Sequence, residues 1–461
     1  MDFSAQLEPI LAPVVSTLSS VLFYDVYGFP FIVLWLVAAA LFFTFYLRFV
    51  NYRLLKHAFA IATGKLPEKG SKGEVSPLKA LLAAIAATVG LGSIAGVSVA
   101  VVVGGPGAIF WIVVMGLFGM ATKFAEVTLS MKYRKVDADG KVFGGPIQYL
   151  RDGLKNKGYE QLGKALAVLF AIFILGGAFG GGNMFQSNSV VKIMTHELPN
   201  LPAWLVAAGF AMLVLLVLFG SIKRIAKVAE AVTPMKGILY LICAVIIVAF
   251  NIENLGSALS QIFHGAFDAS AVSGGFMGMI VIAFRRALFA NEAGLGSAPI
   301  AHAAAKTKEP VREGAVALIE PLFAAAIALL TGLIIVITGA HEGASLNDGV
   351  LIAATAFASV GDWFTILLAA NVFLFAYGTT IGWSYYGEIA WSYLFGRKLI
   401  KIYYVMFAIA CFTGGVISFA TVVDLGDLLI LGAALPNIIA LYLLRHEIRD
   451  AMDAYMKKAK L

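Results

Sequence analysis

The chain has 461 residues, of which 60% are hydrophobic and 13% charged, and its mean hydropathy is +0.89. A soluble domain carries roughly 25% charged residues because its surface faces water, so this much apolar area calls for lipid, and the length divides among spanning helices rather than soluble domains. The formal net charge of +7 does not point to nucleic acid, because the basic residues sit in short loops between apolar runs, the pattern that orients a membrane protein.

Taken in chain order, apolar runs of about 20 residues, enough to cross the hydrocarbon layer, fall at 28–49, 78–103, 107–130, 165–193, 203–220, 228–250, 272–305, 314–340, 363–390, 400–420 and 427–444. The expected fold class is therefore an all-α integral membrane protein with about 11 transmembrane helices. Residues 1–27 hold Asp2, Glu8 and Asp25 but no Lys or Arg, unlike a signal peptide, and read as a short outer segment. Cys243 and Cys411 lie inside apolar runs with no metal-ligand spacing, so neither a disulfide framework nor a metal centre is expected.

Orientation follows from Lys and Arg. The loops of one side (48–79, 132–164, 223–227, 306–312, 397–401) and the segment from Arg445 hold 29 of the 34, and the opposite loops, including 251–271 and 340–362, hold none. The expectation is an outer N-terminus, a cytoplasmic C-terminus and an odd number of spans, in a multi-pass protein of the cell membrane.

Gly-Leu-Gly-Ser occurs twice, at Gly90–Ser93 and at Gly294–Ser297, interrupting the second and seventh spans. Spans 2–6 and 7–11 then form two sets of five with opposite orientation, an inverted repeat with a glycine-broken helix at the same place in each half. That arrangement marks a transporter whose substrate sits at the breaks; chance recurrence or close helix packing by small residues is the alternative. The chain divides into 1–77 (outer segment, extra first span and inner loop), 78–250 (first five-helix repeat), 272–444 (second repeat) and 445–461 (cytoplasmic tail). Unwinding a helix at mid-bilayer frees N–H and C=O groups that lipid cannot satisfy. Half-helix N-termini then suit a carboxylate, and freed carbonyls suit sodium and ammonium. An amino-acid zwitterion offers both charges to one break.

Several segments resemble the alanine/glycine:cation symporter family: Thr88-Val-Gly-Leu-Gly-Ser-Ile-Ala-Gly-Val97, Gly104-Gly-Pro-Gly-Ala-Ile-Phe-Trp111, Gly119-Met-Ala-Thr-Lys-Phe-Ala-Glu126 and Gly144-Gly-Pro146. So do Phe289-Ala-Asn-Glu-Ala-Gly-Leu-Gly-Ser-Ala-Pro-Ile-Ala301 and Ala376-Tyr-Gly-Thr-Thr-Ile-Gly-Trp-Ser-Tyr-Tyr-Gly-Glu388. The resemblance is dense over spans 2–9. It implies the leucine-transporter fold with one extra N-terminal helix, and symport of alanine, glycine or a close relative with sodium; a proton-coupled symporter of this fold, or one for a larger neutral amino acid such as glutamine, is the alternative. It places the substrate among Thr88, Gly90, Gly92 and Ser93 of the first break, Phe289, Asn291 and Gly294 of the second, Gln186 of the fourth span and Trp383 of the ninth. Gln186 and Asn188 point to different sides of their helix, and Gln186 is the better substrate contact; interhelical hydrogen bonding is the other reading. Trp383 is read as capping a small pocket, with ordinary packing as the alternative.

For sodium, the resemblance offers the carbonyls of Ala86, Val89 and Ala376 and the hydroxyls of Thr379 and Thr380, neutral oxygens that suit a hard monovalent ion; the threonines bonding back to their own helix is the competing reading. Ser93 and Ala290 stand where the family has Asn and Ser, which weakens a second sodium site and leaves one coupled ion. Sodium is the coupling ion, with no other cofactor expected, and the partners are the small amino acid, sodium and the lipid bilayer. Among the intramembrane charges, Glu292 is expected to bond freed backbone in the second break and Arg285 and Arg286 to face an outer vestibule or gate. Lys123 and Glu126, one turn apart, read as a snorkelling pair. The six histidines show no cluster in the sequence, so no metal or proton relay is expected. No acid pair or nucleophile motif suggests an enzyme, and no repeated filter suggests a channel.

Overall fold

The structure, a computed structural model, describes residue 17 and residues 19–68, 73–136, 142–219, 221–268, 275–345 and 348–461. Asp2, Glu8, Lys69, Lys72, Lys141, residue 220 of the expected fifth span and residues 272–274 of the seventh lie outside the described residues, as does the side chain of Lys223.

Each of the eleven expected spans coincides with a helix or with helical pieces in succession. The first is Phe31–Tyr46. The second is broken into Pro77–Thr88 and Ala95–Gly104, and the third is Ala108–Tyr133. The fourth runs from Glu160 to Phe179, through a π-helical turn Gly180–Met184, and on to Phe185–Glu197. The fifth and sixth are Ala203–Leu218 and Ser221–Phe250. The seventh is broken into Gly275–Asn291 and Ala298–His302, and the eighth joins Pro310–Ala317 to Ile319–Ile337. The ninth, Thr365–Phe395, and the tenth, Ile400–Val416, precede Phe419–Gly432 and Ala434–Leu443, the eleventh.

Seven helices among the described residues are long and apolar enough to cross a membrane alone, and the two halves of the second span, bent by 61°, make an eighth. The first and fifth spans, at 16 residues each, fall short of that length. Start signals are local: Ser76 caps the second span, its hydroxyl accepting from the Lys79 N–H, with Pro77 in the first turn where its missing N–H costs nothing.

Segments expected as loops also fold. Val50–Arg53, Leu55–Ala62, Leu255–Gly265 and Val350–Ala358 are short helices. Leu255–Gly265 lays its backbone against Gly107, where a Cβ would collide with the Gly265 carbonyl. The C-terminal segment is a docked helix, Arg445–Ala459, burying Ile448, Met452, Tyr455 and Met456, the spacing of one helical face. Lys132 lies 2.6 Å and the Tyr133 hydroxyl 2.8 Å from the Glu447 carboxylate, and the Tyr455 hydroxyl is 2.7 Å from the His57 ring.

The two breaks face one another in the middle of the bundle. At the first, Val89 and Gly90 leave helical geometry and Leu91–Ser93 form a single tight turn. At the second, Glu292, Gly294 and Gly296 take left-handed φ of 53°, 89° and 79°. The left-handed φ at 294 favours glycine, and a Cβ there would lie 2.6 Å from the Leu36 side chain of the first span; the extra helix thus packs directly on the second break.

Candidate functional site: a cavity between two helix breaks

A small cavity of about 10 Å³, room for about one water molecule, lies between the breaks, lined by Thr88, Gly90 and Gly92 from the first, Phe289 and Glu292 from the second, Gly181 and Gln186 from the fourth span, Thr379 and Trp383 from the ninth, and Ile430 from the eleventh. Of the nine positions expected to hold substrate, Thr88, Gly90, Gly92, Gln186, Phe289 and Trp383 meet there. The glycines let the walls close: a Cβ at Gly90 would sit 2.6 Å from Thr379 Oγ1, and one at Gly92 would sit 2.8 Å from the Phe289 ring.

The other three do not line it. Ser93 is fully buried with its hydroxyl unpartnered. Asn291 turns its Oδ1 back to accept from the Ala293 N–H at 2.9 Å, capping its own break. Gly294 contributes a carbonyl that accepts from Asn437 at 2.8 Å, away from the cavity. The resemblance assigned all three to substrate; Asn291 and Gly294 are instead engaged by the second break's own backbone and by Asn437, and the Ser93 hydroxyl bonds nothing.

Gln186 bridges the cavity wall. Its Oε1 accepts from the Leu91 N–H at 3.2 Å and its Nε2 donates to the Gly181 carbonyl at 3.0 Å. That carbonyl lies in the π-helical turn, a distortion often found at functional sites. Asn188, on the other side of the helix, donates to the Gly414 and Ile417 carbonyls, as the interhelical reading requires. Trp383 is fully buried and donates its indole N–H to Glu292 Oε1 at 3.0 Å.

Glu292 corrects the sequence expectation. Its carboxylate does not satisfy freed backbone; it accepts from Trp383 and from the Ser297 hydroxyl and faces the cavity. The left-handed φ of 53° at this residue turns the side chain inward, a geometry that side-chain spacing alone does not encode.

The expected sodium oxygens are near one another but already engaged. Ala376 and Thr380 are fully buried in the ninth span, and the Thr380 hydroxyl has no partner. Thr379 Oγ1 donates to the Ala86 carbonyl at 3.0 Å, across to the second span rather than back along its own helix. The ammonium of Lys236, from the sixth span, donates to the Val89 carbonyl at 2.6 Å and to the Ala86 carbonyl at 3.2 Å. Two of the five oxygens assigned to sodium therefore hold the chain's own cation. Lys236 lies inside the apolar run 228–250, with no acidic neighbour in sequence to mark its partner.

Two further charge assignments change. Lys123 and Glu126 are fully buried and do not snorkel: Lys123 Nζ lies 3.2 Å from Glu320 Oε1 and 3.1 Å from the Glu292 carbonyl. Glu126 Oε1 accepts from the Gly296 N–H at 2.8 Å and from Asn437 at 2.6 Å. A charge at the bilayer centre costs about 2.5–3.5 kcal/mol unless it is paired or wet, so burial here is tolerated because partners converge from other spans. His302, read as isolated, lies between two carboxylates, 2.7 Å from Glu313 and 3.5 Å from Glu320. Thr88 donates to Glu320 as well. The chain Thr88–Glu320–Lys123–Glu292 thus ties the first break to the second through the third and eighth spans. Arg285, partly exposed, and Arg286, buried, both engage the buried Asp427 of the eleventh span, Arg285 at 2.7 Å, and Arg285 also lies 3.9 Å from the exposed Asp424.

Comparison with known proteins agrees with this architecture. Residues 10–461 match the model of the sodium:alanine symporter family. The sodium/alanine symporter AgcS of Methanococcus maripaludis is 38% identical over 421 residues, covering 90% of this chain and 92% of that protein. A probable sodium/glutamine symporter of Bacillus subtilis, GlnT, is 32% identical over 431 residues, covering 92% and 87%. Among solved structures, the crystal structure of MhsT in complex with L-phenylalanine superposes with a TM-score of 0.58 at 16% identity, over 81% of this chain and 90% of that one. That likeness carries the fold, a leucine-transporter-like bundle. With a multi-span bundle, two broken helices meeting at a central cavity, and a family match across nearly the whole length, this chain belongs to the sodium:alanine symporter family of membrane transporters and is not an enzyme.

Proposed function

We propose that the chain imports a small neutral amino acid, alanine or glycine, by alternating access around the cavity between the breaks, coupled to a cation held at the oxygens of the first break. The observation that carries the reading is the cavity's make-up: a narrow space with the unwound Gly90 and Gly92 on one wall, Glu292 on the other and the rings of Phe289 and Trp383 beside them. The substrate carboxylate meets the N–H groups around Gly90–Gly92, where Gln186 already bonds the Leu91 N–H. The substrate ammonium meets Glu292, whose carboxylate retains acceptor capacity beyond Trp383 and Ser297. Sodium is the ion in the relatives' names and the one to test first. The repeats are 78–250 and 272–444, with the N-terminus outside.

Counterflow of labelled alanine in proteoliposomes tests the substrate, and tighter binding of leucine or glutamine than of alanine would sink the small-pocket reading. Trp383→Ala removes the ring that closes one end and is expected to admit larger neutral side chains, with leucine competing about tenfold better against alanine, the effect of one to two methylenes gaining room. An unchanged competition profile would assign Trp383 to packing alone. For orientation, a cysteine at the exposed Ser260 should react with an impermeant thiol reagent from outside intact cells; labelling only after permeabilisation would reverse the topology.

A further inference from the structure

We propose that a basic cavity between the loop after the third span and the end of the ninth binds the phosphate group of an anionic membrane lipid. The site is separate from the cavity between the breaks, and its test needs no transport.

The backbone builds it from two sides. The third span ends at Tyr133, and the chain returns as a short hairpin, Lys135–Val136 with Val142–Phe143, in which Lys135 stands opposite Phe143. Pro146–Gln148 and a π-helical turn, Tyr149–Gly153, follow. On the other side the ninth span stops at Phe395, where Gly396 takes a left-handed φ of 82° and Arg397 opens a single tight turn. The Arg397 guanidinium then lies 4.6 Å from the centroid of the Phe143 ring. The space enclosed is about 270 Å³, roughly twenty times what a single water needs.

Its polar lining is cationic. Lys135, Arg151 and Arg397 face it, together with Gln148 and Ser392. One carboxylate answers these three cations: Asp152 lies 2.5 Å from the Lys135 ammonium and 3.0 Å from Arg151 Nε. Glu388 of the ninth span accepts from Tyr404 and does not line the cavity. Among the described residues no carboxylate pairs with Arg397, so three cations against one carboxylate leave an excess of two positive charges. Its contact with the ring of Phe143 orients the guanidinium and leaves its N–H fork free to donate. Such a fork matches two phosphate oxygens at once. Gln148 adds a buried amide oxygen with no partner, which a headgroup hydroxyl can satisfy.

The surroundings favour a lipid over a free anion. Phe395 and Leu399, on either side of Arg397, and Ile402 beyond them are all exposed, an apolar border that acyl chains can cover. The cavity lies among the basic loops that orient the chain, and basic pockets on that side of a bundle suit acidic headgroups. Bound there, the phosphate joins the loop after the third span to the ninth span.

The test titrates the delipidated full chain, in a neutral detergent, with phosphatidylglycerol. Native mass spectrometry reads it, because the added mass identifies what is bound. The first phosphatidylglycerol should bind about tenfold more tightly than phosphatidylcholine, whose choline meets the excess positive charge. Arg397→Gln and Arg151→Gln should each weaken it by about tenfold, the loss of one charge-assisted bond. Lys398→Gln removes an exposed neighbouring charge that does not line the cavity and should change binding by no more than about twofold. Arg397 is itself exposed, so its variant should melt at the wild-type temperature when no lipid is present. Equal affinity for the two lipids, wild-type binding by both arginine variants, or equal weakening by Lys398→Gln and Arg397→Gln would each overturn the proposal. Inorganic phosphate that displaces phosphatidylglycerol at equal concentration would also overturn it, and would assign the cavity to a free anion.

Discussion

Replacing Glu320 with leucine is expected to cost the folded protein about 3–5 kcal/mol, the loss seen when one partner of a buried ion pair is removed and the other charge stays behind. Lys123, Glu320 and His302 have fully buried side chains, so no water replaces the lost carboxylate. Lys123 would keep one hydrogen bond, to the Glu292 carbonyl, and Thr88 would lose its acceptor. Removing both charges, in Glu320→Leu with Lys123→Met, should recover part of the loss, because an apolar pair of similar volume is often as stable as the ion pair it replaces. The recovery is incomplete because His302 and Thr88 still face the site. Denaturation of the purified protein in mixed micelles, run as a double-mutant cycle, measures it. Single variants within about 1 kcal/mol of wild type would mean that the pair is solvated and does not join the breaks.

The fold was legible because the bilayer imposes a length and a composition that single-sequence reading detects. The eleven apolar runs became helices, and the paired Gly-Leu-Gly-Ser segments became the two breaks. The cavity was legible where a residue's role follows from backbone form: Gly90, Gly92 and Thr88 line it because unwinding exposes them. What escaped is pairing across long separations. Lys123 and Glu126, one turn apart, look like partners, yet Lys123 bonds a residue 197 positions away and Glu126 one 311 positions away. Lys236 is a second case. It has no acidic residue three or four positions to either side, so an intramembrane ammonium had to find acceptors on another helix. Its acceptor at Val89 is 147 positions away, which no local period reveals. Glu292 was misassigned for a different reason: its left-handed backbone redirects a side chain that a helical reading would aim elsewhere.

Asp427→Ala is expected to open the cavity on the side of Arg285 and Arg286. One buried carboxylate serves both guanidinium groups, with Arg285 Nε at 2.7 Å and Arg286 bonded to the same oxygen. Arg286 is itself buried and lies 5.8 Å from the Phe289 ring centroid, and Phe289 lines the cavity. The bridge therefore fixes the seventh span to the eleventh directly beside the cavity wall. Removing Asp427 leaves the buried Arg286 without its carboxylate, while the partly exposed Arg285 keeps Asp424 at 3.9 Å, at a cost of about 3–5 kcal/mol to the closed arrangement for the uncompensated buried charge. A conformation that lets water reach Arg286 escapes most of that cost. A 3 kcal/mol bias is about a hundredfold in population, so the open form should dominate even where the closed one was favoured. In a background lacking Cys243 and Cys411, a cysteine at the cavity residue Ile430 should react with a water-soluble thiol reagent about tenfold faster or more once Asp427 is alanine, since reactivity follows access. Asp427→Asn, which keeps the shape and one acceptor oxygen but no charge, should fall between the two. Equal labelling rates in all three proteins would show that the arginine–aspartate bridge is a packing feature and that the cavity is closed elsewhere.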